Sequence, residues 1–412
     1  MKFITNSIQP CAARIGTLME FERIPDVSFE TPLVLIYTKS GCVPHLTKDV
    51  FKMVTSNQHM LSVSLASTIS IVESVKDTNT NLANFICMKE YINFLTIHDT
   101  AQPTPSGFQK LDSISLWARN GRQVLTADKY MDIIETFKPD FYVALCDGDT
   151  NIDSKKKRTK KAAQRSKTLF EQCLARHTKS KILESVGILG AIEGGYDIET
   201  RTMSINDLKD KPIIGYVIDG LHNNGPNVQN ISLEQIKEIM KHTASLLPIE
   251  KLKVSLGCWN PLTVLDLIEL GVDIFDTSYP YIAVENSEGL TFLCDHSTCN
   301  NVAHVIGLAE KSFCDRYEDD FSPICSHCEC LACKNHTRAY LHHLHNTKEM
   351  LCAVLLMIHN IHHYLEFFKA IRENIRNNTF DQYKKTITLK FPKRNVVGTN
   401  STDVEDVKST DT

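Results

Sequence analysis

VGILGAIEGG, residues 186–195, is the stretch on which the fold turns. It is a short, near-continuous apolar run rather than an alternating one, and it ends in an acid and two glycines. A strand covered on both faces reads this way, as parallel strands between helices do. Downstream, IIGYVIDGL (213–221), KVSLGC (253–258) and VDIFDTS (272–278) repeat the pattern, and PLVLIYTK (32–39) and FYVALCD (141–147) precede it. The segments between the later strands are good helices. LEQIKEIMKHTASLL (233–247) is amphipathic. NPLTVLDLIELG (260–271) has Asn260 to cap its start, Pro261 in its first turn and Gly271 to end it. Strand and helix alternating over about 250 residues predict an α/β chain folded as a (β/α)8 TIM barrel. An open dinucleotide-binding sheet is the competing architecture, and no G-x-G-x-x-G follows an early strand to support it.

Asp147, Glu193, Asp219 and Asp276 each fall at the carboxyl end of a predicted strand. Single acids there are commonly turn formers or helix caps. Four together predict a polar pocket at the barrel end that carries active sites.

The chain has 412 residues, 42% hydrophobic and 23% charged, with a formal net charge of −4. That balance excludes a globally basic nucleic-acid binder, so any RNA contact needs a local patch. KKKRTKKAAQRSK (155–167) holds eight basic residues and is the one candidate; it reads equally as a phosphate-binding stripe or as the solvated face of a barrel helix. Met1–Pro10 has no apolar leader core, and the longest apolar run, Met350–Ile358, is short for a bilayer span, which together predict a soluble intracellular chain. In that setting the 14 cysteines are not expected to form a disulfide framework. Cys11, Cys42, Cys87, Cys146, Cys173, Cys258, Cys294 and Cys299 read as small hydrophobes.

CECLACKNHTRAYLHHL (328–344) is different. Cys328, Cys330 and Cys333 form a C-x-C-x-x-C knuckle able to wrap three sulfurs round one Zn2+, which needs a fourth ligand. His336, His342, His343, His345, His359, His362 and His363 follow. Met350, Leu351, Val354, Leu355 and Ile358 form an apolar stripe continued by Ile361, Leu365 and Phe368, and His359 lies beside it, pointing inward. The other histidines are expected at the surface or at helix ends. Cys325 and His327 compete for the first ligand position. Four protein ligands make a closed, structural site.

The knuckle, the 25 residues after it and His359, with KNHTRAYLHHL and LLMIHN, resemble the zinc segment of tRNA-guanine transglycosylases. ARIGTL (13–18) and ETP (30–32) resemble that family's opening strand and first barrel strand, SGFQ (106–109) its Gly-Gly-Phe-Gln loop, AIEGG (191–195) its Val-Gln-Gly-Gly turn, and GVDIFD (271–276) the segment ending in its nucleophile. The resemblance runs from about residue 13 to 377 and implies a TIM barrel with a zinc-binding helical insertion near the C-terminus. It implies an activity too: an Asp attacks the ribose C1′ of a tRNA nucleotide, guanine leaves, and another base, queuine in eukaryotes, takes its place.

The departures matter as much. Thr104 of TPSGFQ stands where the family has a second essential carboxylate, and Thr cannot take a proton as a carboxylate does. YPYIAVENSEG (279–289) has no basic residue where the family begins an arginine-containing tRNA contact, and Glu193 replaces a base-contacting Gln. Asp276 survives at the nucleophile position, here vestigial, so no residue is assigned as catalytic. With FYVALCDGDT (141–150), the pattern is similar to that of a non-catalytic member that dimerises with a catalytic paralogue, through the zinc region, and helps hold tRNA. Such a subunit is expected in the cytoplasm and, peripherally, on the mitochondrial outer membrane. An active transglycosylase using Asp276 is the alternative. A zinc module without an RNA role leaves the barrel motifs unexplained. The expected organisation is a barrel body over 1–322, the zinc segment and barrel-closing helices over 323–377, an extension over 378–393 and a disordered tail over 394–412.

Overall fold

The computed structural model describes residues 1–294, 304–308 and 317–391; Cys299 and the 394–412 tail lie outside them. Eight parallel strands close into a barrel: β1 (Leu33–Thr38), β2 (Met60–Ser64), β3 (Ile92–Thr96), β4 (Phe141–Val143), β5 (Gly187–Ile192), β6 (Gly215–Ile218), β7 (Leu252–Val254) and β8 (Ile274–Asp276). Each pairs with its neighbours in chain order, and β8 returns to β1 through Ile274–Leu33, Phe275–Val34 and Asp276–Leu35. The strands are apolar because both faces are covered: every residue of LVLIYT and GILGAI is buried.

The capping chemistry behaves as predicted. Asn260 accepts the Thr263 N–H at 3.0 Å, Pro261 opens the helix Pro261–Glu269, and Gly271 follows its end at φ +85°. Ser232 and Gln235 form a capping box on the helix Leu233–Leu246.

At the amino-terminal end of the barrel, an antiparallel sheet of Lys2–Ile8, Arg14–Met19 and Phe29–Thr31 packs beneath the strands. Arg14 of ARIGTL is buried and bonds both oxygens of Asp273, at 2.8 and 2.6 Å. ETP does not form the first barrel strand: Glu30 and Thr31 end the antiparallel sheet, and the barrel begins at Leu33. At the other end, the hairpin Ser113–Ala118 and Gly121–Thr126 is inserted between β3 and β4.

The helix Met350–Arg376 lies against the barrel wall, with Phe368 5.9 Å from Phe275 of β8. By length and composition it is the one described helix that could cross a membrane, but its most apolar window is 67% buried inside the fold, as a core helix is. The following helix, Phe380–Leu389, returns to the barrel through Lys384, which pairs with Asp266 at 2.6 Å.

Several cysteine and histidine expectations need correction. Cys294 forms a disulfide with Cys325, so it is not a free packing residue, and Cys325 does not compete as a metal ligand. Cys42 and Cys87 are exposed, whereas Cys146, Cys173 and Cys258 are buried as expected. His342 and His363 are not surface residues: both are buried, and His363 accepts the Leu293 N–H at 3.2 Å.

Candidate functional site

Two constellations stand out, one on the insertion and one at the carboxyl end of the barrel. Cys328, Cys330, Cys333 and His359 converge so that their ligand atoms all lie within 4.8 Å of one another. Cys330 is the N-cap of the short helix Leu331–Asn335 and its sulfur accepts the Cys333 N–H at 3.3 Å. A position usually capped by a side-chain oxygen is here capped by a cysteine sulfur, and the positive end of the helix favours negative charge on it. Hydrogen bonds from the Cys328 and Cys333 thiols lower the Cys330 thiol from its ordinary value.

His359, fully buried on the Met350–Arg376 helix, points Nδ1 at all three sulfurs, 3.6, 3.5 and 3.3 Å away. An ion held tetrahedrally with bonds of about 2.3 Å to sulfur and about 2.0 Å to nitrogen would set those edges at about 3.5 Å. The donor set and spacing therefore fit a metal ion. His359 Nε2 sits 2.7 Å from the Leu290 carbonyl, which fixes the ring and leaves Nδ1 free to ligate. His327 is exposed and outside the cluster.

At the barrel mouth all four predicted acids are present, but they serve different ends. Asp147 is fully buried and its carboxylate is clamped by Arg158 and Arg165, both from the helix Lys156–Lys179. The basic stretch is thus neither a uniform stripe nor a simple solvated face. Arg158 and Arg165 turn inward, while Lys155, Lys157, Lys160 and Lys161 are exposed. The turn comes from helical spacing, since Thr159, Ala162, Ala163, Ser166 and Leu169 form the buried face beside the two arginines.

Glu193 is wholly buried; Oε1 accepts the Gly148 N–H at 2.8 Å. Burial, then the nearby Asp219 carboxylate, push its carboxyl up to about 8. Asp219 is partly open and accepts the Gly220 N–H at 2.7 Å. Arg201, fully buried, braces the same turns through the carbonyls of Gly195, Ile192 and Asp219.

Asp276 ends β8 at 2% exposure. Its oxygens accept the Gly257 N–H at 2.9 Å and the Ser278 N–H at 2.7 Å, and burial raises its carboxyl to about 6. Beside it, Tyr37 donates to Asp99 at 2.8 Å, a buried pair that sequence reading missed because neither residue lies in a motif.

The TPSGFQ loop is tied down over this mouth. Thr104 N–H donates to the Asn223 carbonyl at 2.7 Å, and its hydroxyl accepts from Asn224 at 3.1 Å. Gly107 N–H donates to Asp149 at 2.8 Å, and Gln109 donates to the Asp147 carbonyl at 3.2 Å. The loop therefore presents Thr104, not a carboxylate, at that position, as its sequence reads.

Fold and site together define a TIM-barrel protein with a Cys3His cluster that could hold a metal ion and a polar, largely self-satisfied mouth. The family model described as queuine tRNA-ribosyltransferase matches residues 10–393, and the chain belongs to that family. It is similar to proteins named queuine tRNA-ribosyltransferase accessory subunit 2. The one from Culex quinquefasciatus is 40% identical over 92% of this chain and 89% of its own length. That from Anopheles gambiae is 38% identical over 93% and 89%, and that from Drosophila melanogaster 35% over 94% and 92%.

Proposed function

We propose that this chain is the non-catalytic subunit of a heterodimeric queuine tRNA-ribosyltransferase. It pairs with a catalytic member of the family, helps hold tRNA, and so supports replacement of guanine by queuine at the wobble position. The observation that carries this reading is the Asp147 carboxylate, closed by Arg158 and Arg165 inside the barrel mouth. A base entering there would have to break a buried, doubly charged clamp, at a cost of several kcal/mol. Thr104, bonded to Asn223 and Asn224, leaves the loop without a carboxylate to act as acid–base partner. Asp276 retains the nucleophile's position but has each oxygen engaged by a backbone N–H.

Cys328, Cys330, Cys333 and His359 hold one structural Zn2+, for which a thiolate-rich tetrahedral set is suited. The ion pins the Leu331–Asn335 helix to the Met350–Arg376 helix and so shapes the surface for dimerisation. Lys155, Lys157, Lys160 and Lys161 supply the phosphate contacts. A cytoplasmic setting, with peripheral contact at the mitochondrial outer membrane, belongs to the same reading. The test is exchange of labelled guanine in tRNA by this chain alone, by a catalytic family member alone and by the two mixed. The reading expects activity only in the mixture; turnover by this chain alone would refute it and favour an Asp276-dependent enzyme.

A further inference from the structure

The barrel mouth holds a second group of ligating atoms that the reading above does not use. Cys146 Sγ, a Glu193 carboxylate oxygen and an Asp219 carboxylate oxygen all lie within 4.8 Å of one another. They come from three successive βα junctions, after β4, β5 and β6. Cys146 and Glu193 are buried, and Asp219 is partly open.

Three independent observations mark this as a built site. Glu193 Oε2 is wholly buried and has no hydrogen-bond partner, although its other oxygen is satisfied by Gly148. An orphaned carboxylate oxygen in a protein interior is costly and calls for a partner. Cys146 Sγ donates to Asp219 Oδ2 at 3.6 Å, a contact an ion would replace on displacing the thiol proton. That distance equals the sulfur–oxygen edge of about 3.6 Å that a tetrahedral ion with bonds of about 2.3 and 2.1 Å would impose. Finally, the backbone makes room: a Cβ on Gly220 (φ +73°) would stand 2.6 Å from Glu193 Oε2, and one on Gly148 (φ +61°) 3.3 Å from Asp219 Oδ2.

We propose that Cys146, Glu193 and Asp219 form a second cation site in this protein, taking a borderline divalent transition ion of the Zn2+ or Co2+ type. One sulfur and two carboxylates suit such an ion better than Mg2+ or Ca2+, which favour oxygen alone. On binding, the thiol and carboxyl protons leave to solvent, and Arg158 and Arg201 offset the remaining negative charge. With three protein ligands the fourth position is open. It faces a cavity of about 50 Å³ lined by His98, Thr100, Asp219 and His222, with room for a water. The site is distinct from the Cys328 cluster and independent of whether the chain is catalytic.

The test is a Co2+ titration of the full chain with Zn2+ already in the Cys328 cluster. The expected result is one further equivalent of Co2+ with a sulfur-to-cobalt charge-transfer band, for a metal total of two per chain. Cys146→Ser should abolish the band, and Glu193→Gln should weaken the second equivalent at least tenfold while the first ion stays. Should Cys146→Ser not fold, the Glu193→Gln titration carries the test. A total of one ion per chain in the unaltered protein would overturn the proposal. So would a second equivalent that lacks the band and survives both substitutions.

Discussion

His359 Nε2 lies 2.7 Å from the Leu290 carbonyl, so the ring that aims Nδ1 at three sulfurs is itself held by the strand Glu288–Leu290. The next residue works with it: Asn360 accepts the Leu290 N–H at 2.9 Å and donates to the Glu288 carbonyl at 2.9 Å. Metal ligation and the packing of this strand are therefore one unit. Cys330→Ser or His359→Ala should reduce bound zinc in the Cys328 cluster to near zero, because affinity at such sites is folding energy. Amide hydrogen exchange should then rise across residues 325–375. Full zinc in the Cys330→Ser chain would contradict the assignment.

Asn360 gives a subtler case. Asn360→Leu leaves all four ligands in place but strips the support behind His359. Zinc affinity should fall by roughly 10- to 100-fold, the usual cost of losing an outer-sphere partner. Competition with a chromogenic chelator measures it. An unchanged affinity would mean that the strand contact does not orient the ring.

The clamp at Asp147 predicts a stability effect. Arg165→Leu leaves a fully buried carboxylate with only Arg158 to balance it. The cost should be about 1.5–3 kcal/mol, that of a lost charged hydrogen bond. Asp147→Asn combined with Arg165→Leu should cost less than the sum, and chemical denaturation of the double-mutant cycle reads the coupling.

Asp276 predicts a pH dependence. Its carboxyl titrates near 6 when folded and near 3.8 as a free side chain. Between those values the unfolded chain loses the proton first, so stability falls as pH rises through the window and levels off above it. The span corresponds to at most about 3 kcal/mol. Asp276→Asn should remove this slope; its amide facing a backbone N–H adds only a pH-independent offset. Equal slopes in both chains from pH 4 to 6 would contradict the buried-acid account.

The exposed lysines predict salt-dependent RNA binding. Neutralising Lys155, Lys157, Lys160 and Lys161 together should weaken tRNA binding. It should also flatten the salt dependence, by roughly 0.7–0.9 in the log–log slope for each phosphate no longer neutralised. The fold should be undisturbed, because none of the four is buried. If affinity and slope do not move, the stretch is only a solvated helix face.

The barrel was legible wherever strands were uniformly apolar, as in LVLIYT and GILGAI. MLSVS (β2) and INFLT (β3) escaped because Ser62, Ser64, Asn93 and Thr96 break the apolar run. Those residues are buried inside a closed sheet, where polar groups can bond to neighbouring strands, as Thr38 Oγ1 does to the Ser62 carbonyl at 2.8 Å. The Cys3His cluster was legible because its three cysteines lie within six positions and the histidine sits on a periodic helix. The Asp147–Arg158–Arg165 clamp was hidden, since composition alone does not say which basic side chains of a helix turn inward. Tyr37–Asp99 and Cys294–Cys325 were hidden for a related reason: their partners lie 62 and 31 residues apart, and only the fold brings them together.

A subunit that supports base exchange without performing it should tolerate loss of its own vestigial nucleophile. Guanine exchange by the reconstituted mixture, with Asp276→Ala in this chain only, puts that to the test. The expected rate is within about twofold of the unaltered mixture, since the proposed division of labour places the chemistry in the partner. A loss of 100-fold or more, about 2.7 kcal/mol of transition-state stabilisation, would show that Asp276 is the working nucleophile and contradict the non-catalytic role.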